Sequence, residues 1–134
     1  MAGWKSVEEI EAYRVAVDLR DWIGRLTQSG PAGRDFTFRD QIRSSAASTT
    51  KNLAEGFERF YHGEFAQFAS IAKGSLGETI DALKEGKAKA YFSPKDADAL
   101  LTLAEKARKA TSGLIRYLRS SKAPGENRAR RRRP

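Results

Sequence analysis

Six hydrogen-bonding side chains recur at alternating spacings of four and three residues along one segment of the chain. They are Gln41, Ser45, Ser48, Asn52, Glu55 and Arg59. Because this spacing follows the period of an α-helix, the six side chains share one helix face. Amides, hydroxyls and opposite charges can bind a ligand, or they can fix the register of two protein surfaces. For Asn52 and Glu55 we favour a subunit interface over a ligand site.

A second row of residues, small or apolar, follows the same segment. It consists of Ile42, Ala46, Thr49, Leu53, Gly56 and Phe60. A helix that packs on one core needs a single ordered row of this kind. Two rows indicate that the helix lies between its own core and a second surface, which we expect to be the route to function.

Basic residues supply the other chemistry of this chain. Lys and Arg number 25 against 17 Asp and Glu, a net charge of +8. After Ser121, one lysine and five arginines stand against a single glutamate, so this segment carries +5 and the rest of the chain +3. Guanidinium groups bind phosphates bidentately, and such contacts give affinity without sequence information. The predicted nucleic-acid-binding residues are Arg39, Arg43, Lys51, Lys84, Lys87, Lys89, Arg128, Arg130, Arg131, Arg132 and Arg133. For the tail, the alternatives are a solubility role or binding to acidic proteins.

Residue types common in catalytic sites are scarce. The sequence has one histidine, His62, and no cysteine. A di-iron bundle needs two Glu-x-x-His pairs on separate helices, whereas Glu58 stands four residues before His62. A metal-dependent enzyme built on Glu55, Glu78 and His62 is a further hypothesis, but its carboxylates lack neighbouring histidine ligands. We predict that the protein is not an enzyme, that it uses no metal or cofactor, and that His62 is an exposed turn residue.

Helices must position these residues, because the sequence shows no strand-like alternation. The first predicted helix begins at Ser6, in a capping-box pattern, and ends before the glycine- and proline-rich segment 29–33. The second follows an N-cap at Thr37 and reaches about Phe60.

The third predicted helix follows a break at residues 61–63 and contains Gly74, which we attribute to close packing against a neighbouring backbone. The fourth starts at the Ser93 N-cap, with proline at its first position, and ends near Arg119. Four helices with short links predict an all-α, antiparallel up-down-up-down four-helix bundle.

The 134 residues fit one domain, with the bundle in residues 1–119 and a disordered basic tail in 120–134. No segment approaches the roughly 20 apolar residues of a membrane span. The N-terminus lacks the apolar region of a secretion signal. We therefore expect a cytoplasmic protein without a membrane partner.

Two blocks of residues resemble a known family of four-helix bundles, which includes the ribosomal RNA intervening-sequence proteins. The first block is Gln41-Ile42-Arg43, Asn52-Leu53-Ala54-Glu55-Gly56 and Arg59, and the second is Glu64-Phe65, Phe68, Ile71-Ala72-Lys73-Gly74-Ser75 and Glu78. The accessory variability determinant proteins of diversity-generating retroelements are more distantly similar. The family usually has Ile-Pro where this chain has Thr49-Thr50, so the proline that would kink the helix is missing.

The resemblance implies a homopentamer shaped like a barrel, whereas periodicity alone supports only a second interaction face. Together with the charge, it predicts a non-catalytic, basic, oligomeric scaffold that binds RNA or DNA largely through backbone phosphates. The alternative is a protein-interaction adaptor, such as an accessory subunit of a reverse transcriptase.

Overall fold

All the predicted helices are present in a computed structural model, which describes residues 3–120 and residue 123. Within this part of the chain there is no strand. The α-helices are α1 (Glu11–Leu26), α2 (Gly30–Arg34), α3 (Phe36–Phe57), α4 (His62–Ala88) and α5 (Pro94–Arg119), and a 3-10 helix spans Val7–Glu9. The four long helices form a helical bundle, which confirms the all-α prediction.

Two apolar clusters fill the bundle, and every long helix contributes to both. The first contains Leu19 and Ile23 of α1, Ile42 of α3, Leu83 of α4 and Leu100 of α5. The second contains Ala12 and Ala16, Leu53 and Phe57, Phe65 and Ala69, and Leu114 and Leu118 from the same helices in the same order. The first cluster is therefore built largely from the C-terminal halves of α1 and α4 and the N-terminal halves of α3 and α5. The second cluster is built from the N-terminal halves of α1 and α4 and the C-terminal halves of α3 and α5.

The starts of two helices differ from the sequence prediction. The Ser6 side chain makes no capping hydrogen bond, and the 3-10 turn that follows it delays α1 until after Ile10. Asp35, rather than Thr37, is the N-cap of α3, since its Oδ1 accepts a hydrogen bond from the Phe38 backbone N at 3.1 Å. A carboxylate satisfies a free N–H at a helix start at least as well as a hydroxyl does, and it also complements the helix dipole.

The segment 29–33, predicted to end the first helix, follows the end of α1 at Leu26 and lies largely within the short helix α2. Gly30 enters this helix with a φ of 72°, which a glycine adopts without strain. A Cβ at Gly33 would lie 2.9 Å from the carbonyl oxygen of Thr27, so this glycine lets α2 fold back against the end of α1.

The start of α5 agrees with the prediction. The Ser93 side chain accepts a hydrogen bond from the Asp96 backbone N at 3.1 Å, and Pro94 is the first helical residue. The helix ends at Arg119. The predicted disordered tail lies outside the described residues, apart from Ser120 and Ala123.

The packing explanation offered for Gly74 is wrong within the chain. Apart from its chain neighbours and the adjacent backbone of α4, no described residue has an atom within 4 Å of a Cβ built at Gly74. Gly86 is the position in α4 that requires glycine, because a Cβ there would lie 2.6 Å from the Phe92 ring and 2.9 Å from the Phe38 ring. This close approach closes the first core cluster at the end of α4.

Candidate nucleic-acid interface

Arg43, a predicted phosphate ligand, lies half-buried between α3 and the end of α1. Its Nε donates to Thr27 Oγ1 at 2.7 Å, and its Nη2 donates to the Gly24 carbonyl oxygen at 3.0 Å. Thr27 in turn donates to the Ile23 carbonyl oxygen at 2.7 Å. The guanidinium thereby stabilises the C-terminal carbonyls of α1, which carry partial negative charge. These two bonds hold the group in place and leave its other N–H donors available.

The side chain of Arg43 forms part of an open groove of about 570 Å³ between α1 and α3, called here the α1–α3 groove. Its lining residues are Arg20, Asp21, Gly24, Arg25, Gln28, Arg43 and Ala47. Arg20 pairs with Asp21 at 3.0 Å and also donates to Thr50 Oγ1 at 3.4 Å. Arg20 and Arg25 were not among the predicted binding residues. Their spacing of five residues places them about 140° apart around α1, so the sequence gives no sign that they line one groove.

Lys51 follows Ala47 by one helical turn, on the same side of α3. Its side chain is exposed, and no ion pair to it occurs in the described part of the chain. Arg39 and Arg43 are half-buried, whereas Lys51 is exposed to solvent and has no carboxylate partner among the described residues.

Arg39 is already engaged within the chain. Its Nε lies 3.2 Å from Asp40 Oδ1, and its Nη1 donates to the Gly33 carbonyl oxygen at 3.4 Å. The guanidinium carbon lies 4.7 Å from the centroid of the exposed Phe36 ring. This cation–π contact covers part of an aromatic side chain that would otherwise face water.

Two of the three predicted lysines near the end of α4 form ion pairs. Lys87 Nζ lies 2.8 Å from Asp98, and Lys89 Nζ lies 2.8 Å from Glu85. The hydrogen bond to Glu85 raises the pKa of Lys89 above its ordinary value. Lys84 is exposed and forms no described ion pair, so it is the freest of the three for an external phosphate.

The polar row on α3 has an interaction partner inside the chain. Ser45 is buried and accepts a hydrogen bond from Thr79 Oγ1 at 2.8 Å. Ser48 shares a hydrogen bond of 2.8 Å with Ser75. Asn52 donates to the Ser48 carbonyl oxygen at 2.9 Å. The middle of the row thus faces α4, and its role as a subunit interface stays a prediction.

The two ends of the row are more exposed. Glu55 and Arg59 form the ion pair that their spacing indicates, at 2.9 Å. The Arg59 guanidinium lies over the Phe68 ring at 4.7 Å, and its buried Nε has no hydrogen-bond partner among the described residues. Gln41 lies in a separate groove between α3 and α4, which is also lined by Asp40, Ser44, Ser45, Glu78, Asp81, Ala82 and Glu85. The four carboxylates make this α3–α4 groove acidic.

The residues of the metal hypothesis do not come together. Within residues 3–120 no group of three or more His, Asp or Glu side chains is arranged to hold a metal ion. His62 is not an exposed turn residue, since it is half-buried and is the first residue of α4. Nor does any described helix combine the length and apolar composition that crossing a bilayer requires.

Arg128, Arg130, Arg131, Arg132 and Arg133 lie outside the described residues, so their predicted contact with phosphates stays a prediction. Among the described residues, the fold and charges define a small helical bundle with a cationic groove on one side and an acidic groove on another. The chain belongs to the 23S rRNA-intervening sequence protein family, whose model matches residues 8–113.

A solved structure supports the same fold. It is a crystal structure of a protein with unknown function from the S23 ribosomal protein family of Bacteroides thetaiotaomicron. It superposes with a TM-score of 0.72 at 17% identity, covering 78% of this chain and 95% of that chain. No curated protein matches the sequence. At this level of identity the comparison establishes the architecture of the bundle alone.

Proposed function

We propose that this protein is a non-catalytic, oligomeric scaffold that binds RNA or DNA largely through backbone phosphates. The observation that carries the proposal is the surplus of cations, a net +8 for the chain. Exposed cations on three long helices, among them Arg25, Lys51 and Lys109, form no ion pair in the described part of the chain. Such charges attract a polyanion and release its counterions on binding.

The family description adds an RNA context, because it refers to the intervening sequence of 23S rRNA. For this chain the link is part of the proposal. It makes a structured RNA the first ligand to test, ahead of duplex DNA.

We also propose that the bundle has antiparallel up-down-up-down topology and assembles into a homopentameric barrel. The opposite order of the α3–α4 contacts supports the topology: Ser45 meets Thr79, and Ser48 meets Ser75. For assembly, α4 offers an outer face with Ile71 53% exposed and open space beside Gly74 and Gly77.

Binding is tested by fluorescence anisotropy of the full chain with labelled RNA and DNA of unrelated sequence. We expect saturable binding to each, with log affinity falling linearly as log salt rises. An anisotropy that stays at the value of free RNA at low salt would overturn the proposal.

Assembly is tested by native mass measurement. We expect a mass near five times the 14.9 kDa of the chain. Glu55→Ala should shift the distribution towards smaller species if the exposed end of the polar row is an interface. Glu105→Ala is the matched control, since Glu105 also pairs with an arginine on its own helix, Arg108. A clean monomer at micromolar concentration would contradict the assembly.

An adaptor, such as an accessory subunit of a reverse transcriptase, is the second candidate. Such a partner would use the same outer face of α4, where Ile71 is 53% exposed. A chain that is monomeric, fails to bind RNA and co-purifies with a reverse transcriptase encoded beside it would favour this candidate over the scaffold.

A further inference from the structure

We propose that the α1–α3 groove is the site at which the folded body of this chain binds the phosphodiester backbone of nucleic acid. The inference rests on the proposed nucleic-acid binding and assigns it to a surface. It extends the predicted binding residues Arg43 and Lys51 with two arginines of α1, Arg20 and Arg25. It also includes the small groove residues Gly24 and Ala47.

A guanidinium held in place lies at the centre of the groove. Arg43 is fixed by its bonds to Thr27 Oγ1 at 2.7 Å and to the Gly24 carbonyl oxygen at 3.0 Å. A side chain held in this way has already lost its rotamer freedom, so binding a phosphate costs less conformational entropy. Its remaining N–H donors form charge-assisted hydrogen bonds, the strong kind for phosphate oxygens.

Small residues keep the groove open beside this guanidinium. Gly24 and Ala47 line it, and apart from neighbouring residues and the adjacent backbone of α1, no described atom lies within 4 Å of a Cβ built at Gly24. A sugar–phosphate chain can therefore approach the backbones of α1 and α3 closely. No packing requirement inside the described chain explains a glycine at this position of α1, where it weakens the helix by about 1 kcal/mol relative to alanine.

The charge distribution favours this groove over two other grooves of similar volume. Arg20, Arg25 and Arg43 line it against one carboxylate, that of Asp21. The α3–α4 groove has Asp40, Glu78, Asp81 and Glu85 and would repel a polyanion. A groove between α1 and α5 mixes Glu11 and Glu105 with Lys106 and Lys109.

Arg43 and Lys51 form a cationic row along α3, and the length of this row favours a chain of phosphates over one small anion. Arg43 and Lys51 lie eight residues apart on α3, which corresponds to about 12 Å along the helix axis. One strand of a duplex places a phosphate roughly every 3.4 Å of its axis. A row of this length can contact several successive phosphates.

The main test compares two glutamates placed at open glycines of the full-length protein. Gly24→Glu puts a carboxylate into the α1–α3 groove, and the structure leaves room for it. Gly113→Glu on α5 makes the same change in net charge, and its added Cβ would lie 3.7 Å from Arg116, an ordinary contact. Circular dichroism and native mass should show that both variants remain folded with unchanged assembly.

We expect Gly24→Glu to weaken binding of a labelled RNA by about tenfold or more. Its slope of log affinity against log salt should fall by about 0.7 to 0.9 for each phosphate that the variant no longer binds. Gly113→Glu should change affinity much less. Equal affinities for the two variants, with a wild type that still binds RNA, would overturn the groove assignment and leave the proposed function standing. A wild type that binds no nucleic acid would overturn both.

Removal of single cations provides an independent measurement. Arg25→Ala and Lys51→Ala each remove a charge that has no described ion pair, so the fold should be unaffected. Both should weaken RNA binding more than Lys109→Ala, the matched change on α5. Inorganic phosphate should displace RNA no better than sodium chloride of the same ionic strength. If phosphate displaces RNA at lower ionic strength, the groove is a small-anion site and the assignment to a phosphodiester chain is wrong.

Discussion

Tyr91 donates its hydroxyl proton to Asp35 Oδ2 at 2.6 Å, although the two residues lie 56 positions apart in the chain. The other carboxylate oxygen of Asp35 accepts the Phe38 N–H and caps α3. The Tyr91 ring also packs edge-on against Phe38, with centroids 4.9 Å apart. Asp35 thus connects the start of α3 to the loop between α4 and α5.

This pair should make the stability of the bundle depend on pH. The hydrogen bond from Tyr91, followed by that from Phe38, lowers the pKa of Asp35, while Asp35 raises the pKa of Tyr91. A lowered carboxyl pKa stabilises the fold above its ordinary value of about 4, and this contribution is lost as the pH falls through the lowered pKa. A raised phenol pKa stabilises the fold below its ordinary value of about 10, and this stabilisation is lost as the pH rises through the raised pKa.

We therefore expect Tyr91→Phe to lower the melting temperature at pH 7, with a gap from wild type that narrows below about pH 4. Tyr13→Phe is the control, because the structure shows no hydrogen bond from the Tyr13 hydroxyl to a described residue. Thermal melts followed by circular dichroism across this pH range measure the gap. A gap that stays constant with pH would show that the Tyr91 hydroxyl contributes independently of the charge on Asp35 and would contradict the prediction.

Gly86→Ala should destabilise the protein by about 1 to 3 kcal/mol, the usual cost of overpacking a core. The new methyl group would meet the Phe92 ring at 2.6 Å and the Phe38 ring at 2.9 Å, and these rings are themselves packed. Gly113→Ala, in the interior of α5, adds a Cβ that makes only an ordinary contact of 3.7 Å with Arg116 and should instead stabilise by up to about 1 kcal/mol. Urea unfolding of both variants provides the comparison, and equal midpoints would contradict the close approach at Gly86.

Thr79→Val should cost about 1 to 2 kcal/mol, because it removes a buried hydroxyl that joins two helices. The Thr79 hydroxyl oxygen lies 2.8 Å from Ser45 Oγ and 3.0 Å from the Ser75 carbonyl oxygen, and these two acceptors share its single proton. Thr111→Val is the matched control, since the equally buried Thr111 donates to the Ala107 carbonyl oxygen of its own helix at 2.7 Å and to no other residue in the described part of the chain. Chemical denaturation of both variants should show the larger loss for Thr79→Val. Similar losses would mean that the bond between the helices adds nothing measurable.

Deletion of the residues after Pro124 should weaken binding to RNA and DNA of unrelated sequence while the bundle stays folded and oligomeric. The deleted segment contains Arg128 and Arg130 to Arg133, and the salt slope should flatten by about 0.7 to 0.9 for each phosphate that these arginines would otherwise bind. Anisotropy across a salt series, with circular dichroism as the folding control, measures this. Unchanged affinity and slope would make the tail a solubility feature, and complete loss of binding would contradict the α1–α3 groove.

Local sequence signals predicted the parts of the fold that depend on local chemistry. Ser93-Pro94 marked the start of α5 because capping and proline geometry act within one turn. The two rows on α3 showed that the helix has two contact faces. The Asp35 cap was missed because Thr37, two residues later, is also a residue type that caps helices. The short helix α2 was missed because it consists largely of glycine and proline, which disfavour helices.

The candidate site was harder to predict than the helices. Periodicity showed that Ser45 and Ser48 form a polar face, but it does not specify whether that face meets another subunit or another helix of the same chain. Net charge indicated a polyanion, whereas grouping Arg20 and Arg25 with Arg43 requires knowing that α1 lies against α3. Gly74 illustrates the same difficulty, since a glycine in a helix does not show which of its neighbours approaches.

The two hydroxyl pairs between α3 and α4 determine the position of one helix along the axis of the other. Small side chains give shallow surfaces, so apolar contact alone would tolerate several axial offsets of one helix along the other. Moving α4 by one turn would separate Thr79 from Ser45 and Ser75 from Ser48, so both hydrogen bonds between the helices would be lost at the same time. The two bonds therefore select one axial offset, and this fixes the height at which the outer face of α4 is presented to any neighbouring molecule.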